Sequence, residues 1–141
     1  MNAEVEKNIE IVRKTYEAVQ GGGNLDAFFA DFSDDIVLYE PPSLPYGGEY
    51  AGRKMIEFGL AAIMGSFDNF AMQVHNFMGG GEYVAVHASI TGQGKITKKT
   101  FAMPYIELWR LQNGKITEIK LFYYDTARIL ECYGDERISA P

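Results

Sequence analysis

The stretch YIELWRLQNGKITEIKLFYYD, residues 105–125, is two runs of alternating apolar and polar residues joined by Gln112-Asn113-Gly114-Lys115. Asn-Gly is the strongest short hairpin signal, because both central residues of the favoured two-residue turn need positive φ. The stretch therefore reads as two antiparallel strands. Upstream, AMQVHNFM (71–78) and EYVAVHASIT (82–91) are separated by GGG, and GQGK (92–95) leads into KTFAMPYIELWRL (99–111). The second half of the chain is thus a four-stranded antiparallel meander.

The first half reads differently. Val5, Ile9, Val12, Tyr16 and Val19 recur at spacings of four and three, which marks one face of a helix. GGG at 21–23 ends it, and Asn24 caps a short second helix in LDAFFADF (25–32). SDD then breaks into a strand over 36–40. After the loop PPSLPYGG, residues 53–65 form a third helix with Ile56, Leu60, Ile63 and Met64 as its stripe, stopped by Gly65. Helices in front and strands behind give an α+β fold. The expected architecture is one curved sheet, mixed or antiparallel, wrapped around the long first helix, with two further helices. Such a cone leaves a pocket at its open end. No linker, repeat or low-complexity tract divides residues 1–141, so a single domain is expected.

Composition narrows the function. A formal charge of −6 and a pI near 4.9 argue against nucleic acid and against docking on an anionic membrane. The basic spots GRK and KITKK are too short to reverse this; the lysines of KITKK read as protection of a strand edge. One cysteine, Cys132, excludes an intramolecular disulfide, and its setting does not mark it as reactive. The N-terminal residues lack the apolar core of a signal peptide, and no apolar run nears the roughly 20 residues of a membrane span. A cytoplasmic location is the expectation. His75 and His87 are lone strand histidines with no metal-ligand spacing, so no metal is expected. GGG and GQGK lack the strand–loop–helix context of a phosphate loop.

Alternation sorts the remaining polar residues. In ITEIKLFYYD, Glu118 and Lys120 share a face with Ile116, Phe122 and Tyr124, and their charge marks that face as outer. The inner face then carries Thr117, Ile119, Leu121, Tyr123 and, at its end, Asp125. In YIELWRL, Glu107 lies with Tyr105, Trp109 and Leu111, on the inner side. Glu40 leaves the sheet just beyond Ile36 and Leu38, and Tyr16 sits on the buried stripe of the first helix. Three carboxylates and a phenol are thus candidates for one interior, where burial raises a carboxyl's pKa and suits it to proton transfer. Each has a plainer reading beside it. Tyr16 reads also as a core tyrosine, Glu107 as a cross-strand partner in a solvated sheet, Asp125 as a cap for a short helix in ARILECYG, and Glu40 as an exposed strand end. Tyr105, Trp109 and Tyr123 read as core or pocket lining.

FSDDIVLYEPPSLPYGGEYAGR and LWRLQNGKITEIKLFYYDTARIL, with the order of elements, resemble the SnoaL-like polyketide cyclases. These belong to the wider group of ketosteroid isomerase-like and nuclear transport factor 2-like proteins. The resemblance spans roughly residues 6 to 134. It implies the cone-shaped α+β barrel and a cofactor-independent isomerase or cyclase acting on a small hydrophobic enolisable carbonyl compound, polyketide- or steroid-like; a non-catalytic binding module for an apolar molecule or a protein is the alternative on the same fold. By the isomerase pattern the helix tyrosine is Tyr16, the base Glu40 and the protonated acid Glu107, both acids being Glu where the isomerase has Asp. By the cyclase pattern the acid is Asp125, and His87 falls on a pocket-lining position, with Tyr105, Trp109 and Tyr123 as further substrate contacts. Tyr105 occupies the place where related epoxide hydrolases need Arg, which argues against that reaction. The resemblance also implies a homodimer through the outer sheet face, where Ile106, Leu108, Phe122 and Tyr124 lie.

Overall fold

The N-terminal helix α1 (Ala3–Gln20) begins at Asn2, whose side-chain Oδ1 accepts the Val5 amide at 2.9 Å. It buries Val5, Ile9 and Val12, the stripe that its spacing marks. The computed structural model describes residues 2–20 and 23–134; Gly21 and Gly22, assigned above to the end of this helix, lie outside them. Asn24 caps α2 (Leu25–Phe29) through a bond from the Ala27 amide. This helix is shorter than expected because Phe32 already belongs to a strand.

That strand, β1 (Phe32–Glu40), takes in Ser33, Asp34 and Asp35. Its pairing is irregular between Phe32 and Val37, so the polar triplet is bulged rather than excluded. A strand absent from the sequence reading, β2 (Gly48–Ala51), returns along β1 and pairs Glu40 with Gly48. It has four residues and no alternation, hence no periodic signal. Then come α3 (Gly52–Ser66), β3 (Phe67–Gly80), β4 (Tyr83–Gly94), β5 (Thr100–Gln112), β6 (Lys115–Tyr123) and α4 (Thr126–Tyr133). The α3 helix runs one residue past Gly65. The β5–β6 turn places Asn113 and Gly114 at φ of 52° and 78°, the conformation that Asn-Gly signals.

The six strands form one curved sheet in the order β2-β1-β6-β5-β4-β3. Only β1 and β6 run parallel, so the sheet is mixed. Its inner face supplies most of the core, including Ile36, Leu38, Val84, Val86, Ala88, Ile90, Met103, Ile119 and Leu121. Ile116 corrects the face assignment above: it is fully buried, not outward. The register shifts between Arg110–Glu118 and Leu111–Ile116, leaving Thr117 as an extra residue, and one extra residue reverses the facing of all that precede it.

The helices cover different parts of the sheet. The first packs mainly on β3 and β4, approaching closely at Gly79, where a Cβ would meet Val5 and Ile9. The third packs on β1, β2 and β3. The central strands β5 and β6 are therefore left with inner-face residues that no helix fully covers. On the outer face Ile106 and Phe122 pair across strands and stay exposed. Among the described residues, no helix is long and apolar enough to cross a membrane.

Candidate functional site

The gap between the helices is a cavity of about 440 Å³. Its wall is built by α1 through Tyr16, by β1 through Leu38 and Glu40, by β5 through Tyr105, Glu107 and Trp109, and by β6 through Ile119, Leu121 and Tyr123. Apolar residues of α2, α3 and β3 close the remaining side. At the mouth Val19, Leu25 and Met64 are about half exposed. Arg53 links α3 to α2, bonding Asp26 of α2 at 2.7 Å and Glu57 of its own helix at 2.6 Å. Among the described residues, no Lys, Arg or His contributes to the wall.

Two carboxyls project into this apolar space. Glu107 is held by a cradle of donors: the Tyr16 hydroxyl and the Trp109 indole N–H both donate to Oε1, the latter at 3.1 Å, and the Tyr105 hydroxyl donates to Oε2 at 2.7 Å. The i and i+2 spacing of Tyr105, Glu107 and Trp109 along β5 places all three on one face. Burial raises the Glu107 pKa, opposed by the three donors, which favour the charged form. Burial likewise lifts Tyr16 and Tyr105 well above the ordinary phenol range, helped by the charge of Glu107, so both keep their protons.

Glu40 has a different setting. It is 3% exposed and accepts one hydrogen bond, from the Tyr123 hydroxyl to Oε1 at 3.0 Å. Its second oxygen, Oε2, has no partner among the described residues and is open to the cavity. Loss of water pushes its pKa up to about 8; the Tyr123 bond pulls it down, and the charge of Glu107 adds to the rise. Glu40 is therefore mainly protonated at neutral pH, with its open oxygen facing apolar space. The pair of prolines after it starts a loop that folds inward and buries Leu44, Pro45 and Tyr46. The exposed-strand-end reading of Glu40 does not hold.

Six of the eight residues named from the sequence, Tyr16, Glu40, Tyr105, Glu107, Trp109 and Tyr123, thus line one cavity. Two do not. Asp125 does not continue the inner face: the chain leaves the sheet after Tyr123, and the exposed Asp125 side chain accepts the Arg128 amide at 3.1 Å to cap α4. His87 alternates with the buried Val86 and Ala88 and so faces outward, its Nδ1 3.1 Å from Asn76 Nδ2 and its ring 5.1 Å from that of His75. Sequence reasoning missed Tyr46, which bonds Tyr123 from behind at 3.2 Å. It lies in a loop without periodicity, and only its neighbourhood to Pro45 and Gly47 marked it at all. Among the described residues no three His, Cys, Asp or Glu side chains are placed to hold a metal ion.

This fold recurs in known structures. The chain is similar to an NTF2-like protein from Burkholderia thailandensis, at 24% identity and a TM-score of 0.79 over 86% of this chain and 93% of that one. It is similar to a putative SnoaL-like polyketide cyclase from Jannaschia sp. CCS1, at 16% identity and a TM-score of 0.78 over 96% and 97% of the two chains. It is also similar to a protein of ketosteroid isomerase-like fold from Catenulispora acidiphila in complex with trimethylamine, at 23% identity and a TM-score of 0.70 over 88% and 92%. No curated protein sequence matches the chain. Residues 12–119 match the model of the SnoaL-like domain, and the chain belongs to that family. The wider group includes isomerases and cyclases.

Proposed function

We propose that this protein is an isomerase or cyclase that moves a proton next to the carbonyl group of a small hydrophobic substrate, polyketide- or steroid-like, bound in the cavity. The observation that carries the reading is the pairing of two unlike carboxyls in one apolar chamber: Glu40 with an oxygen open to the cavity, and Glu107 in a cradle of donors.

Glu40 is the acid and base. Its pKa of about 8 makes its ionised form a far stronger base than a solvated carboxylate, and its neutral form an acid able to return the proton. Glu107 supports the substrate oxygen, and a count of protons shows which of its two states has a hydrogen bond to offer. Trp109 N–H can only donate, and the two phenols keep their protons, so three protons serve three links. With Glu107 ionised, all three are consumed and none is left for a ligand. With Glu107 protonated, a fourth proton becomes available at the Glu107–Tyr105 pair, which borders the cavity. The neutral state is the one that offers a hydrogen bond to a developing enolate oxygen, an arrangement in which one preorganised donor contributes about 3 kcal/mol. Among the described residues the wall holds two acids and no basic residue, which disfavours an anionic substrate, since an anion would meet no counter-charge.

The test is exchange of α-protons into D2O, followed by NMR, across a panel of cyclic ketones and β-diketones. The wild-type protein is expected to accelerate exchange of at least one member, with a rate rising to a plateau above pH about 8. Glu40→Gln should slow it by about 100-fold or more, and Glu107→Gln by about 10- to 100-fold. Panel members that bind the cavity, with none exchanging faster than in buffer, defeat the enzyme reading. That outcome favours the second reading, a binder of apolar molecules, which the wall and the half-exposed rim of Val19, Leu25 and Met64 support equally.

A further inference from the structure

The loop between β1 and β2 folds into consecutive turns, the Leu44 amide donating to Pro41 O at 3.1 Å and the Gly47 amide to Leu44 O at 2.8 Å. The result is that Tyr46, 2% exposed, lies behind the cavity wall. Its backbone carbonyl is held by the Tyr50 hydroxyl at 2.6 Å, and its ring packs against Tyr133 and Phe67 with centroids 5.8 and 6.4 Å away. Its hydroxyl has one partner among the described residues, the hydroxyl of Tyr123 at 3.2 Å, and Tyr123 in turn donates to Glu40 Oε1.

We infer that Tyr46 is a positioning residue for Glu40: the chain from Tyr46 through Tyr123 reserves Oε1 as an acceptor and leaves Oε2, the oxygen open to the cavity, as the atom that carries and delivers the proton. The inference rests on the proposed role of Glu40 as proton carrier.

The direction of the chain follows from the supply of acceptors. Among the described residues the buried Tyr46 hydroxyl has no acceptor but Tyr123, so its proton points there. Tyr123 has then received one proton, and its own goes on to Glu40. Reversal would require Glu40 to protonate Oε1, Tyr123 to donate backwards, and the Tyr46 proton to point at nothing, which a buried hydroxyl does not tolerate. When Glu40 is neutral its proton therefore sits on Oε2, and when Glu40 is ionised the two aligned hydroxyls strengthen one another in stabilising the charge. The other groups facing Glu40 do not compete for this role. From β5 come Glu107, which raises the Glu40 pKa, and Tyr105, which donates to Glu107. From α1 comes Tyr16, also committed to Glu107; from β2, Tyr50, committed to the Tyr46 carbonyl. Tyr133 of α4 touches the Tyr46 ring, and α3 presents the uncharged Ile56 and Ile63.

The experiment is a carboxyl ¹³C NMR titration of glutamate-labelled protein, wild type beside Tyr123→Phe, Tyr46→Phe and Tyr133→Phe. Tyr123→Phe should raise the Glu40 midpoint by about one unit or more, since a donor to the charged form is lost. Tyr46→Phe, which touches Glu40 nowhere, should raise it by about half a unit, with near-UV circular dichroism unchanged. Tyr133→Phe, next to the same ring but outside the chain, should leave it in place. Where α-proton exchange is measurable, its pH midpoint should move with the NMR value. A Tyr46→Phe midpoint equal to or below that of wild type, with Tyr123→Phe raised, overturns the inference and reduces Tyr46 to packing. An ordinary carboxylate midpoint for Glu40 in the wild type overturns instead the role given to Glu40, a separate result from the difference between variants.

Discussion

Replacing Glu40 by Gln should make folding stability less dependent on pH. The isosteric amide keeps an acceptor for Tyr123 but cannot ionise. In the wild type the folded state holds the Glu40 proton up to about pH 8, whereas the unfolded chain releases it near 4.5. Between these values the folded protein binds more protons than the unfolded one, so wild-type stability falls as pH rises. The stabilisation is fully present below pH 4.5 and is lost by pH 8. Over the interval of 3.5 units (8 − 4.5), at about 1.4 kcal/mol per unit, the fall attributable to Glu40 is about 5 kcal/mol. That is a large share of the roughly 5–15 kcal/mol that holds an ordinary domain together. Glu107 and every other titrating group remain in the variant, so the difference between the two curves reports Glu40 together with its coupling to Glu107. The assay is urea unfolding by far-ultraviolet circular dichroism at intervals from below pH 4.5 to above pH 8. Glu40→Gln minus wild type should climb across the window and then level off, moving the urea midpoint by about 2–3 M at the plateau. Parallel curves through the window would show that Glu40 titrates as a solvated carboxylate and that its burial does not govern its charge.

Two further substitutions probe the walls. Leu60→Trp places an indole into the cavity from α3; it should cut the affinity for an apolar fluorescent probe by about tenfold while changing stability by less than about 1.5 kcal/mol, as read by probe titration beside urea unfolding. Gly94→Ala should destabilise by about 3 kcal/mol, because its Cβ would fall on the Cys132 carbonyl, where backbone meets backbone at the start of the C-terminal segment. Gly65→Ala is the contrast: a helical glycine with open space around its Cβ should gain about 0.5–1 kcal/mol in thermal or urea unfolding.

Much of the site was legible from alternation, and the failures have physical causes. Tyr105, Glu107 and Trp109 were assigned inward from one uninterrupted strand, and the structure places all three on the cavity wall. Ile116 was assigned outward because nothing in the letters marks Thr117 as an extra residue. Asp125 was given to the inner face by extending a period of two beyond the point where the chain leaves the sheet. Of its two readings, the helix cap is the one the structure takes. His87 was placed in the pocket by resemblance, although its own strand alternates with Val86 and Ala88 buried and His87 outward. The strand β2 and the role of Tyr46 left no periodic trace, since one is four residues long and the other sits in a turn.

The letters alone were enough for the order of every element except β2, for the hairpin at Asn113-Gly114, for the inward face of β5 and for the family resemblance that the SnoaL-like match bears out. These rest on local chemistry: side-chain periods, turn residues and caps act over a few positions. Which acids share a chamber, that Glu40 loses its water while Asp125 keeps it, and that Glu107 receives its donors from two different elements emerge from the folded chain alone. Desolvation and convergence depend on residues as far apart as Tyr16 and Glu107, brought together by how the helices divide the sheet between them. No local pattern encodes that division, and the chemistry of the cavity depends on it.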